Sequence, residues 1–124
     1  MAVALLAPIA AYTEDAVPPD WADVSVIFEE RCVMCHSAVA GASKGLRLDD
    51  YAAVLAGSER GAVLVAGNAA GSELVRRLRG ESTPRMPFLS RSLTDGQIAL
   101  IESWIAASMP YESEVRQPET ADQR

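Results

Sequence analysis

The chain is short of the residues on which many small folds rely: aromatics make up 6% of its 124 residues, and there are two Cys and one His. Two Cys exclude a disulfide-dense scaffold, and three Cys and His together fall short of the four ligands of a structural zinc site. With so few aromatics, a domain of this size has little bulky side-chain material to complete a core, which points to a bound group supplying part of it. No apolar run approaches the ~20 residues needed to cross a bilayer, so no membrane span is expected. Cations are the minority, 11 Lys plus Arg against 17 Asp plus Glu for a net charge of −6. Such a chain gains nothing from counterion release on a phosphate backbone, and nucleic acid is not an expected partner. There is no internal repeat, and the length suits one domain.

Met1 to Ala11 reads MAVALLAPIAA, like the apolar region of a secretory signal without its basic leader, and export is expected. With the linker carrying Pro18 and Pro19, it makes residues 1–22 a signal-like apolar segment and Pro-rich linker; residues 23–109 form the folded domain, and the acidic residues 110–124 a mobile tail. After the prolines, Asp20 or Asp23 caps a helix with Val24, Ile27, Phe28, Arg31 or Cys32, and Cys35 on one face. Leu46 to Leu48 alternate apolar and charged residues as a short extended piece, and the β-branched content of Gly61 to Gly67 permits it to pair with them. Short helices are expected from Asp49 or Asp50 to Leu55 and from Asn68 or Ser72 to Gly80. An irregular loop of about a dozen residues, Glu81 to Leu93, follows; that length is more often functional than idle. Thr94 and Gln97 form a capping box for a last helix bearing Ile98, Ile101, Trp104 and Ile105, ended by Pro110.

Both Cys and the only His fall within Cys32-Val33-Met34-Cys35-His36. Two thiols spaced along one helical turn can add to the two vinyl groups of a haem, and the adjacent His is then held beneath the iron as an axial ligand. The rival readings fit less well. A thioredoxin-like pair wants a helix N-terminus in a βαβ setting, and a plain Cys32–Cys35 disulfide leaves His36 unexplained. With no second His, the sixth iron position would fall to Met, Lys, Tyr or Cys. Met thioether is the usual electron-transfer choice, and Met86 sits between Pro84 and Pro87 in the one long loop.

Phe28 four residues before Cys32, Met86 late in the chain and a closing helix with Trp104 resemble a class I c-type cytochrome. Gly45-Leu-Arg-Leu-Asp, Gly67-Asn-Ala-Ala-Gly-Ser, Arg77-Leu-Arg-Gly and Arg85-Met-Pro are similar, more narrowly, to the monohaem domains called planctomycete-type cytochrome c, over about Asp23 to Ala107. The resemblance implies a mainly α fold of about four to five helices around one covalent haem c, with room for one short β pair. It implies a first and a last helix crossing beside the haem. The residues expected at the haem are Cys32, Cys35, His36, Phe28, Leu46, Leu48, Arg85 and Met86, with His36 and Met86 on the iron. In the broader family a Pro about a dozen residues after the His offers its carbonyl to the ring. This chain has no Pro between His36 and Pro84, so a different carbonyl, near Leu46 to Leu48, has to orient His36.

Residues 60–91 hold six basic and two acidic groups, a net +4 band in an acidic chain. Arg76, Arg77, Arg79, Arg85 and Arg91 are candidates for the haem propionates or for a positive rim facing an acidic partner, with a solvated helix face the alternative for Arg76 and Arg77. The expected function is a periplasmic one-electron carrier, not an enzyme, exchanging electrons with a dehydrogenase or a terminal oxidase or reductase. It is either a soluble shuttle or an electron-accepting subunit. The alternative, a haem peroxidase or gas binder with an open sixth site, needs Met86 not to bind.

Overall fold

The computed structural model describes residues 17–32, 36–37 and 41–112. Four α-helices follow in order: α1 Trp21–Arg31, α2 Tyr51–Ala56, α3 Glu73–Leu78 and α4 Asp95–Ala106, with one 3-10 turn at Ser43–Gly45 between the first two. Each α-helix begins where the sequence supplies a polar cap. The amide of Asp20 bonds to the Asp23 carboxylate at 3.0 Å, and the Asp50 carboxylate accepts the Ala53 amide at 3.0 Å. Thr94 and Gln97 close their capping box at 2.9 and 3.1 Å, each satisfying a donor that the first helical turn leaves unpaired.

α4 packs against both α1 and α3. Its apolar stripe of Ile98, Ile101, Trp104 and Ile105 is buried, as are Val24, Ile27 and Phe28 of α1, each worth roughly 1.5–3 kcal/mol of transfer from water. Trp104 is fully buried at the crossing. Its ring centroid lies 5.9 Å from Trp21 and 6.4 Å from both Phe28 and Tyr51, and its indole N–H donates to the Pro110 carbonyl at 3.0 Å. Five of the chain's seven aromatics gather here, since Tyr111 stacks edge-on to Tyr51 at 5.0 Å. Trp21 at the start of α1 and Pro110 and Tyr111 after α4 are held in this cluster. Residues 1–16 and 113–124 lie outside the described residues.

The short β pair does not form: among the described residues there is no strand, only an isolated bridge between Ser58 and Gly61. The backbone groups that such a ladder would use are engaged elsewhere. The Leu48 amide bonds to the His36 carbonyl at 2.8 Å, the Val63 carbonyl accepts the Leu74 amide at 3.0 Å, and the Val65 amide donates to Ser72 Oγ at 2.8 Å. These bonds hold both segments as irregular walls against the helices.

Arg79, just past α3, grips Glu102 of α4 with two hydrogen bonds of 2.7 and 2.9 Å, and this holds the Glu102 carboxyl below its usual range. A carboxylate with a lowered folded pKa contributes stability in full above the ordinary value near 4.3 and loses it as pH falls through the lowered one. Glu102→Gln should cost at most about 1 kcal/mol at neutral pH, since the pair is partly exposed, and the difference from wild type should close as pH drops below about 4 in urea titrations. Trp104→Ala should be far costlier, about 3–5 kcal/mol in the same assay, because it opens a hole where α1 and α4 meet.

Candidate haem-binding site

α1 ends at Cys32, whose amide still bonds to the Phe28 carbonyl at 2.8 Å while its φ and ψ have left the helix. The His36 amide then returns to the Cys32 carbonyl at 3.1 Å, which sets the imidazole beside the end of α1. Nδ1 of His36 lies 3.2 Å from the Leu46 carbonyl. A carbonyl can only accept, so Nδ1 is the donor in this contact and Nε2 is the ring nitrogen that a metal would take. Leu46 thus supplies the orienting carbonyl to His36 in a chain with no proline there.

Cys32, His36 and Met86 line one cavity of about 1240 Å³, larger than the roughly 300–1,000 Å³ of most small-molecule sites. Its inner walls are apolar: Phe28 and Leu48, Val63, Leu74 and Leu78, Leu93 and Ile101. Leu46 lines it as well, so the Leu46–Leu48 segment is wall rather than strand. Burial pushes the Cys32 thiol up to about 11, with the Arg31 charge opposing. It is therefore held neutral, the opposite of the lowered value that a nucleophilic thiolate of a thioredoxin-like pair requires. Cys35 lies outside the described residues.

One wall is a turn that depends on a glycine. Gly57 has φ +88°, and a Cβ there would stand 2.3 Å from the Gly61 carbonyl oxygen, so the turn that leads to Ala62 and Val63 admits no side chain.

The expected basic residues divide. Arg77 lines the cavity but pairs with Glu73 at 2.7 Å, Arg76 faces the same carboxylate at 3.7 Å, and Arg79 is taken by Glu102. Arg85 does not line the cavity: its guanidinium lies over Gly80, where an added Cβ would meet it at 3.3 Å. Arg91 offers its carbonyl to the Arg31 guanidinium. Three further cations, Arg31, Lys44 and Arg60, line the cavity. Of these, only Arg31 has a sequence signal, its place three residues after Phe28 on the same helical face.

The donor set fits a covalently held haem: a thiol, an imidazole with its outer nitrogen free and a thioether share one large apolar cavity. Residues 32–87 match the planctomycete cytochrome C family. The matched segment starts at Cys32 and ends just past Met86, so it holds the Cys-x-x-Cys-His motif, the Leu46 carbonyl and Met86 itself. Helices α1 and α4, which support the motif from behind, lie outside the match. No curated protein and no solved structure matches the chain.

Gly57→Ala should destabilise the fold by about 2–3 kcal/mol in thermal or urea unfolding, because the strained φ and the clash with Gly61 act together.

Proposed function

We propose that the protein is an exported, periplasmic one-electron carrier with a single haem c, ligated by His36 and Met86 and attached through Cys32 and Cys35. When bound, haem c supplies a one-electron couple, its iron alternating between ferric and ferrous forms. The chain's part is to hold, orient and exclude water. Cys32 at the end of α1 offers its sulfur to the cavity, His36 is aimed by the Leu46 carbonyl, and the apolar walls keep water from the metal position.

The observation that carries the reading is the presence of Met86 in the same cavity as His36. Of the two methionines among the described residues, Met109 is buried beside Trp104 and does not line that cavity, whereas Met86 does. A protein thioether at the sixth position raises the reduction potential and closes the iron to small ligands, which suits electron transfer better than peroxide or gas chemistry. The partners are redox proteins, a dehydrogenase on one side or a terminal oxidase or reductase on the other. Among the described residues no helix is long and apolar enough to cross a membrane.

The test is the absorption spectrum of the ferric haem-loaded protein. It should show the weak far-red band of a sulfur–iron bond, Met86→Ala should abolish that band, and Met109→Leu should leave it unchanged. Immediate binding of cyanide or carbon monoxide by the wild type, with no such band, would sink the electron-carrier reading in favour of an open sixth site.

A further inference from the structure

The loop bearing Met86 is hung on the end of α3. Past Leu78 the chain reverses at Gly80, φ +80°, and its amides return to the last carbonyls of the helix. Glu81 and Ser82 donate to the Arg76 carbonyl at 2.8 and 3.2 Å, and Met86 donates to the Arg77 carbonyl at 3.0 Å. Carbonyls that a helix end leaves without partners thus become the seat of the loop.

One side chain ties this seat together. Glu73, the first residue of α3, takes Arg77 Nε on one carboxylate oxygen at 2.7 Å and the Ser82 hydroxyl on the other at 3.2 Å, with Arg76 at 3.7 Å. It therefore joins both arginines whose carbonyls hold the loop to Ser82, a residue of the loop itself. Glu73 and Arg77 also line the cavity that Met86 lines. Ion pairing at i,i+3 and i,i+4 alone is explained by helix stability. The Ser82 hydroxyl is not, since it comes from outside the helix and draws the loop onto it.

We infer that Glu73 is a positioning residue for Met86, a latch holding the loop so that the thioether stays on the iron and yields slowly to outside ligands. The inference rests on the reading of Met86 as sixth ligand. It is read in the haem-loaded ferric protein from the far-red band and from the rate of cyanide binding, which must await departure of the thioether. Glu73→Ala should weaken the band and speed cyanide uptake about three- to tenfold, the scale expected for one partly exposed charge-assisted link. Glu73→Gln, whose amide oxygen still accepts the Ser82 hydroxyl, should recover much of the delay. Ser82→Ala removes only the hydroxyl and should give about a two- to threefold increase, and it decides the matter alone where Glu73→Ala fails to fold. Glu102→Gln breaks a neighbouring pair that does not reach the loop and should leave the rate unchanged. Wild-type rates in both Glu73→Ala and Ser82→Ala overturn the latch, as does an equal acceleration in Glu102→Gln, which would mark a general loss of stability. Met86→Ala separates the two ideas. A far-red band that survives there removes the ligand assignment and the latch with it, while loss of the band there, with no change at Glu73 or Ser82, removes the latch alone.

Discussion

The contact of Trp104 with Trp21 and Phe28 is the interaction on which the rest depends. It fixes α1 against α4, and α1 carries at its C-terminal end the Cys32 thiol and, four residues later, His36. Phe28 belongs to both sides of this arrangement, packing on Trp104 and lining the cavity. Most of the chain's scarce aromatics are thus concentrated behind the site, while the apolar walls in front, Phe28 and Phe88 apart, are largely aliphatic. Aliphatic walls suit a flat, rigid group, which brings its own aromatic surface to the core.

The site is assembled less by side chains than by backbone carbonyls freed from regular structure. Leu46 spends its carbonyl on the His36 ring instead of on a strand partner, and Arg76 and Arg77 spend theirs on the loop of Met86. Both axial candidates are therefore positioned by main-chain acceptors of short, irregular segments. Irregular backbone of this kind is stable only when its polar groups are all engaged, and this is why the residues around Gly57, Gly61 and Gly80 turn so sharply to meet their partners. The arginines of the middle band divide in their roles. Arg76 and Arg77 pair with Glu73 within α3, and Arg79 ties the end of α3 to Glu102 of α4, so half of the band's six cations are engaged by carboxylates.

Much of this was legible in the residues alone. The helical spacing of Val24, Ile27 and Phe28 and of Ile98, Ile101, Trp104 and Ile105 gave both long helices, because burial of one face repeats with the helical period. Capping at Asp50, Ser72 and Thr94 located the other starts within a residue or two. The Leu46–Leu48 strand was misread because alternation in three residues records burial and not pairing. The direction of the Arg85 side chain had no sequence signal, because adjacency to Met86 says nothing about direction, and its guanidinium lies against Gly80. The role of Glu73 had no sequence signal, since its link to Ser82 spans nine residues and exists only once the loop folds back.

The sequence by itself placed Cys32, Cys35 and His36 within five consecutive residues, a local pattern that points to haem attachment before any fold is known. It also determined where the helices start, since capping and periodicity act over a few residues. Only the tertiary structure decided which of the later residues face that motif. Met86 reaches the cavity of His36 and Met109 does not, and Arg77 lines it while Arg85 turns away. Those choices depend on chain reversals and on carbonyl partners many residues apart, and no local preference encodes them.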